Sequence, residues 1–230
     1  GISLSRDGAW ATSVNIRGLS EQRLLFLVDN DRVQTATDIA GVLSTVNLTS
    51  LDIFEFLKGA ASVLYGNGAM GGVVNFISHR PNYTENLTTS GRVSAGYQTV
   101  NNLFGTSANV DITNKDWYLS VNGSYKTAGN TMTPTGVLPN SQLNNASWGL
   151  TGGMNYKENQ ELLVSYNHYE AWNTGLPGSS LFSPTATVCY LGFKRDQLSG
   201  EYIFRELTDN MDKLSLKAYT QSVNRDVENI

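Results

Sequence analysis

Residues Phe54–Ser78 read FEFLKGAASVLYGNGAMGGVVNFIS and form the stretch of the chain that is most constrained in residue type. Two runs rich in Val, Ile and Phe flank a segment with five glycines. Glycine at this density indicates a backbone that takes positive φ or packs where no side chain fits. The stretch therefore predicts a strand, a set of tight turns and a second strand. The structural glycines are Gly59, Gly66, Gly68, Gly71 and Gly72.

A nucleotide-binding interpretation of this stretch fails on its context. Gly66–Gly71 matches the G-x-G-x-x-G pattern, but that fingerprint needs a helix that opens at the glycines and an acidic residue about 20 positions further on. The residues that follow, Val73–Ile77, are mostly β-branched or aromatic and favour a strand. A soluble nucleotide-binding enzyme, the rival from another class, would require a helix after Gly72.

Composition favours β-structure. Only 16% of the 230 residues are charged, and the chain has 22 glycines and 11 tyrosines, which fits sheets better than a soluble helical protein. The net charge of −4 argues against a nucleic-acid surface. Cys189 is the single cysteine, so no internal disulfide can form. No run of about 18 apolar residues is present, which excludes a membrane-spanning helix but leaves open a barrel of alternating strands.

From Leu87 onward the sequence alternates as barrel strands do. Residues 117–126 and 146–156 carry apolar side chains at every second position, with aromatic residues near the ends. Period-two alternation predicts opposite faces. We expect lipid to contact Trp117, Leu119, Val121, Trp148, Leu150 and Met154, and the lumen to contact Ser120, Asn122, Thr151 and Asn155. The predicted strands are 88–98, 103–112, 116–126, 146–156, 161–171, 196–206 and 212–224.

Connections between these strands alternate in length. The long ones, 127–145 and 172–195, fall on one rim, and short polar turns fall on the other, as in outer-membrane barrels. The connection 99–102 is short although it lies on the long-loop rim. Seven strands cannot close a bacterial barrel, and a plugged lumen goes with about 22 strands. We therefore expect this chain to hold about the first third of a barrel.

Two motifs resemble the plug signature of TonB-dependent outer-membrane receptors. The first comprises Glu55, Lys58-Gly59, Ser62, Leu64-Tyr65-Gly66, Gly68-Ala69 and Gly71–Asn75, and the second comprises Asn15–Gly18 followed by Leu25–Val33. The departures from the family pattern are Asn30 in place of Gly, Ala60 in place of Pro, and Ile53 in place of a polar residue. Asn30 must then adopt a turn conformation, which Asn does more readily than most residues.

The resulting fold class is an antiparallel membrane β-barrel, incomplete in this chain, with an N-terminal α+β plug domain. We predict plug strands at 14–17, 24–28, 53–57 and 72–78, and a short helix that begins near Thr37 or Asp38 and runs through Leu43. The expected domains are an N-terminally truncated plug at 1–80, a linker at 81–87 and barrel strands at 88–230.

The resemblance also suggests residue roles. In the family, basic residues at the positions of Arg17 and Lys58 pair with barrel glutamates and lock the plug to the wall; solvated surface charge is the alternative. Plug loops that rise into the lumen contact the substrate. The substrate-binding candidates are Trp10, Gln34, Thr35, Thr37, Trp172 and Asn173. For Trp10 the alternative is packing on the barrel wall, although an indole before this strand has little obvious core to fill.

Catalytic and metal sites are not expected. His79 lies in the linker, and His168 lies on the outward face of its strand, where it would belong to an aromatic girdle. No His, Cys, Asp or Glu cluster has metal-ligand spacing, and no catalytic constellation is recognisable. We predict no enzyme, no cofactor and no metal.

By its resemblance, the chain is expected to belong to a Gram-negative outer-membrane receptor, in contact with lipid. It would import a large scarce nutrient. The first candidate is an iron chelate (siderophore or haem), the second is cobalamin, and the third is an oligosaccharide or peptide. The partner TonB would bind an N-terminal box that we expect to lie before Gly1. A passive porin or a β-barrel adhesin is the structural alternative, and it would lack a folded domain before the first barrel strand.

Overall fold

A computed structural model describes residues 1–7, 9–20, 23–33, 42–59, 65–66, 69–157, 159–177, 188–208 and 211–229. Short connections separate most of its strands. The strands, in chain order, are β1 (Ile2–Asp7), β2 (Ala11–Ile16), β3 (Leu19–Ser20), β4 (Leu24–Val28), β5 (Asp31–Arg32), β6 (Leu51–Lys58), β7 (Gly72–Ser78), β8 (Thr88–Gln98), β9 (Leu103–Thr113), β10 (Trp117–Ala128), β11 (Thr131–Thr133), β12 (Gly136–Leu138), β13 (Leu143–Lys157), β14 (Gln160–Leu176), β15 (Val188–Thr208) and β16 (Met211–Asn229).

The N-terminal part contains two small sheets. One has the order β1-β2-β3, and the other has the order β5-β4-β7-β6 with β4 and β7 parallel. Strand β4 is buried along its whole length, as expected for a strand covered on both faces. Its core includes Phe26 and Phe76, whose rings stack 6.3 Å apart. The four plug strands predicted from the sequence are all present, each within three residues of its predicted bounds.

A two-residue turn joins β4 to β5. Asp29 has φ 53° and Asn30 has φ 69°, so both central residues are left-handed, as in the type I′ hairpin that matches strand twist. The expectation that Asn30 adopts a turn conformation is confirmed. Asn30 is also held by Asn75, since its backbone N–H donates to Asn75 Oδ1 at 3.1 Å.

Strands β8, β9, β10, β13, β14, β15 and β16 form one seven-stranded antiparallel sheet in chain order. None of the described strands before residue 79 belongs to it. The predicted strands are all found, but several are longer than predicted. The predicted loop 172–195 is too long, because β14 continues to Leu176 and β15 already begins at Val188. The hairpin of β11 and β12 lies within the predicted loop 127–145 and was missed.

Alternate residues of this sheet face opposite sides. Trp117, Val121, Trp148, Leu150 and Met154 are exposed, while Ser120 and Thr151 are buried. The buried set faces the N-terminal sheets, which confirms the predicted inward and outward faces on β10 and β13. Leu119 is half-buried on the outward face, and Asn155 is exposed near the end of β13.

Helical structure is scarce in the described residues. It comprises 3-10 turns, among them Val42–Thr45 and Leu48–Ser50, and an α-helical conformation at Tyr65. The predicted helix overlaps the first of these turns, but its start lies in 34–41, outside the described residues. Among the residues that the structure describes, no helix is long and apolar enough to cross a membrane.

Candidate functional site

The inward face of the seven-stranded sheet packs against the N-terminal sheets, and Trp10 is the aromatic anchor of this contact. Its indole is 3% exposed and lies edge-on to Tyr190 and Phe193, with ring centroids 4.8 and 6.0 Å away. The indole N–H donates to the Tyr169 hydroxyl at 2.8 Å. The expectation that Trp10 has little core to fill is therefore wrong, because the barrel wall supplies that core.

A buried ion pair joins the β5 hairpin to the wall. Lys217 Nζ lies 2.9 Å from Asp31 Oδ1 and also donates to the backbone carbonyl of Asp29. Gln197 donates from Nε2 to the other Asp31 oxygen at 3.2 Å. The Asp31 side chain is 3% exposed and that of Lys217 is 19% exposed. A carboxylate this buried is tolerated only when it is paired and hydrogen-bonded, so this contact fixes the position of the hairpin on the wall.

Asp29 fastens the end of β7 to the same hairpin. Its carboxylate accepts hydrogen bonds from the Ser78 backbone N–H at 2.9 Å and from the Ser78 hydroxyl at 2.7 Å. Arg80 Nη2 lies 3.7 Å from Asp29 Oδ1. The hairpin thereby holds the start of the segment that leads from β7 into the barrel strands.

His79 bridges the N-terminal sheets and the wall. Its Nδ1 lies 2.8 Å from Asp52 Oδ2, and its Nε2 lies 3.0 Å from Asp111 Oδ2. An ionised carboxylate only accepts hydrogen bonds, so this geometry favours the imidazolium with both nitrogens protonated. Burial lowers the pKa of His79, but the hydrogen bonds and charges of the two carboxylates outweigh burial, and the pKa is raised above 6.5.

Tyr83 makes a second contact between the linker and the wall. Its hydroxyl donates to Glu161 Oε1 at 3.1 Å, and Arg205 Nη2 lies 2.6 Å from Glu161 Oε2. Burial, followed by the charge of Glu161, raises the pKa of Tyr83 above its usual range. The phenol therefore stays protonated and remains a hydrogen-bond donor.

Of the predicted substrate-binding residues, the structure describes Trp10, Trp172 and Asn173, and it does not bring Trp10 and Trp172 together. Gln34, Thr35 and Thr37 lie outside the described residues. Trp172 was predicted to open a loop, and this prediction is wrong, because the residue lies within β14. Its ring is 6.3 Å from that of outward-facing Tyr125. This placement puts Trp172 on the face opposite Trp10.

Asn173 follows Trp172 within β14 and has φ 44°. Its side chain is exposed. Substrate contact by any of these predicted residues, Trp10 included, stays a prediction, although the contacts of Trp10 favour packing.

Arg17 and Lys58 are both exposed. Neither forms an ion pair with a carboxylate in the described part of the chain, so the proposed lock to barrel glutamates stays a prediction. Polar contacts between plug and wall include instead those of Asp31 with Lys217 and of His79 with Asp111.

Two of the five glycines carry distinct constraints. Gly72 has φ 148°, and a Cβ there would overlap the Leu57 carbonyl oxygen. Gly71 has no positive φ, and a Cβ there would lie 2.8 Å from the Leu19 side chain. Gly59 and Gly66 have positive φ, whereas Gly68 lies outside the described residues.

His168 lies on the outward face, as predicted. Its ring is 5.8 Å from the Trp148 ring, and Nδ1 is 2.7 Å from Asp196 Oδ1. In the parts of the chain with described side chains, no group of three or more His, Cys, Asp or Glu residues is placed to hold a metal.

The contacts that hold plug to wall were not foreseen from sequence. Asp31 and Lys217 lie on distant strands, and His79 was considered only as a ligand. The one available signal was the alternation along 212–224, which places Lys217 on the face opposite Leu214 and Leu216.

Comparison with known proteins supports the architecture. Residues 1–73 match the family model described as TonB-dependent Receptor Plug Domain. A vitamin B12 transporter BtuB from Photobacterium profundum is 33% identical over 88 residues, which is 38% of this chain and 14% of that protein. The vitamin B12 transporter BtuB of Vibrio cholerae serotype O1 (strain O395) is 34% identical over 101 residues, or 43% of this chain and 16% of the transporter.

Solved structures share the fold over nearly the whole chain. The copper transporter OprC superposes with a TM-score of 0.84 at 18% identity, over 98% of this chain and 33% of that one. The FrpB iron transporter from Neisseria meningitidis (F3-3 variant) superposes with a TM-score of 0.73 at 14% identity, over 97% of this chain and 36% of that one. The ferric enterobactin receptor PfeA from Pseudomonas aeruginosa superposes with a TM-score of 0.68 at 18% identity, over 97% of this chain and 37% of that one. The chain thus spans about a third of these structures, all of which are transporters or receptors.

Proposed function

We propose that the chain belongs to a TonB-dependent receptor, and that the whole protein imports a large scarce nutrient across the outer membrane of a Gram-negative bacterium. The observation that carries the proposal is the plug-like unit packed on the inward face of a barrel sheet, with Trp10 and Asp31 in contact with wall strands. A passive pore has no use for such a unit, because a folded domain in the lumen obstructs diffusion.

We propose that residues 1–80 are the plug domain, 81–87 the linker and 88–230 barrel wall. The separate sheet of β4 to β7 supports this division, as does the polar segment between Ser78 and Thr88. In this arrangement the outward apolar side chains contact lipid, and the long-loop rim faces the outside of the cell.

Transport in this proposal requires no catalytic group. TonB would supply work from the inner membrane by binding an N-terminal box, and the plug would rearrange while the wall stays closed. The contacts of Asp31 and His79 are polar, and polar contacts exchange with water more readily than a continuous apolar interface. These contacts are therefore suited to repeated release and re-formation.

The proposed cargo is an iron chelate such as a siderophore or haem. Structural likeness to receptors named for iron and for ferric enterobactin supports this choice. Cobalamin is the second candidate, favoured by the vitamin B12 transporters among the relatives of 33–34% identity. The two candidates differ in charge, since ferric enterobactin is trianionic and cyanocobalamin is electroneutral.

Uptake by cells that produce the full-length receptor tests the proposal. Labelled ferric enterobactin, haemin and cyanocobalamin are supplied separately to cells with and without TonB. We expect concentrative uptake of one of them that disappears without TonB. Equal uptake in both strains would favour a passive pore and refute the proposal.

A further inference from the structure

A cavity of about 560 Å³ lies between the plug and the wall at the long-loop rim. Trp10, Ser44 and Asn47 line it from the plug side, and residues of β9, β10 and β13 line it from the wall. Hydroxyl and amide groups are frequent in its lining, and the Trp10–Tyr169 pair forms part of its wall. The cavity therefore combines an aromatic surface with hydrogen-bonding groups, as ligand sites commonly do.

Lys126 gives this cavity its charge. It is the single ionisable residue with a formal charge at neutral pH among the described lining residues, and no Asp or Glu is among them. Its position on β10 opposite Gly105 and Asn145 is inward, and its stem lies near the Cα of Gly105, where a Cβ would be 3.5 Å from Lys126 Cγ. Among the side chains that the structure describes, which exclude that of Asp7, no carboxylate lies within ion-pair distance of its ammonium group.

A second cation lies below the cavity. Arg195 is 3% exposed and lines a small adjoining pocket that shares Asn47, Ser147 and Tyr169 with the cavity. Its Nε and Nη1 have no hydrogen-bond partner among the described residues. Burial of a cation that has no carboxylate partner costs free energy of folding. Lys217, by contrast, is paired with Asp31.

We propose that this cavity binds an anionic group of the transported ligand, with Lys126 at its side and Arg195 beneath its floor. This inference rests on the proposed function and narrows the cargo to compounds with carboxylate, catecholate or phosphate oxygens. Uncompensated positive charge in a partly enclosed space attracts anions and repels cations, since low-dielectric walls weaken screening. Hydroxyl and amide donors around Lys126 would complete the hydrogen bonds of such oxygens.

The charge of the cavity is testable without knowledge of the cargo. Ser124 lines the cavity, and Ser124→Cys in a full-length Cys189→Ser receptor introduces one thiol there. Its reaction rates with anionic sulfonatoethyl methanethiosulfonate and cationic trimethylammonioethyl methanethiosulfonate are compared, each corrected for the intrinsic reactivity of the reagent. We expect the anionic reagent to be favoured, and Lys126→Met to lower that preference about fivefold, the order for one nearby charge in partly hydrated surroundings.

Two control variants separate a local effect from a general one. Lys126→Arg keeps the charge and should keep the preference. Lys194→Met removes the same charge from the outward face, where Lys194 lies 3.8 Å from Glu170, and should leave the preference unchanged. A preference for the cationic reagent, or a ratio that Lys126→Met does not change, would overturn the proposal.

Ligand binding separates this inference from the proposed function. In the full-length receptor, ferric enterobactin should protect the introduced thiol, and Lys126→Met should weaken that protection at least fivefold. Protection by cyanocobalamin but not by ferric enterobactin would overturn the anionic-ligand proposal while leaving nutrient import intact. Loss of TonB-dependent uptake for every nutrient tested, with the reagent preference retained, would instead refute the proposed function and leave the anionic preference of the cavity standing.

Discussion

Removal of the Lys217 ammonium should loosen the plug from the barrel wall. In Lys217→Met the Asp31 carboxylate, 3% exposed and 2.9 Å from Nζ in the native protein, keeps only the Gln197 amide at 3.2 Å. A buried carboxylate without its countercharge is destabilised by far more than an exposed ion pair contributes. We therefore expect a loss of plug stability and an intact barrel sheet.

The expected loss is about 3 kcal/mol, the lower end for breaking a buried pair, because Gln197 remains and Lys217 is 19% exposed. At about 1.4 kcal/mol per tenfold change, local opening of the β4–β5 hairpin becomes roughly a hundred times more frequent. Asp31→Asn combined with Lys217→Met leaves no buried charge at this contact. The double variant should recover at least half of the loss, roughly 1.5 kcal/mol.

Amide hydrogen exchange on the detergent-solubilised full-length receptor measures this opening residue by residue. Protection should fall in β4 and β5 and stay unchanged in β9 and β10. Lys213→Met, four residues earlier on the same strand, removes an exposed charge and should alter stability by less than about 0.5 kcal/mol. Equal protection in wild-type and Lys217→Met receptors would refute the argument that the ion pair holds the hairpin.

Three further outcomes are expected. Trp10→Ala should lower the free energy of unfolding of the plug by about 3 kcal/mol, because the indole loses its packing on Tyr190 and Phe193; an unchanged stability with weakened nutrient binding would show that Trp10 is a substrate contact and not a packing group. The pKa of His79 is raised above 6.5 in the folded protein by Asp52 and Asp111, so its clamp stabilises the protein fully below pH about 6.5. Linker protection should fall as the pH rises through the raised pKa, and a flat profile identical to that of His79→Gln would contradict this. Gly72→Ala should destabilise the plug by about 2 kcal/mol, since the φ of Gly72 is positive. Gly96 has open space around it, so Gly96→Ala should not destabilise the protein. Equal melting temperatures for the two variants would refute the steric argument.

Period-two alternation and turn residues allowed most of the fold to be predicted. The alternation in 117–126 and 146–156 determines which side chains face outward, because a one-residue shift would reverse both faces. The five glycines and the flanking β-branched runs likewise predict β6 and β7. Strand ends were less predictable: β14 and β15 extend beyond the apolar region, where residues such as Thr174 and Cys189 carry little alternation.

The candidate site was harder to predict, because it depends on pairs that are distant in sequence. Nothing near Asp31 indicates Lys217, and nothing near Trp10 indicates that Tyr169 accepts its N–H. The position of Trp10 in a Gly- and Ser-rich segment suggested exposure, yet the wall aromatics bury it. Such pairings emerge only when the seven-stranded sheet curves around the plug and brings its inward face into contact.

A reversible tether between plug and wall tests the central claim most directly. The Ser124 hydroxyl donates to Asn47 Oδ1 at 3.2 Å, so Asn47→Cys and Ser124→Cys place two thiols close together across the interface in a Cys189→Ser receptor. Uptake of the receptor's nutrient is measured in energised cells before and after reduction. The account predicts that the oxidised receptor imports no nutrient until the disulfide is reduced, and import at the wild-type rate through the oxidised receptor would contradict it.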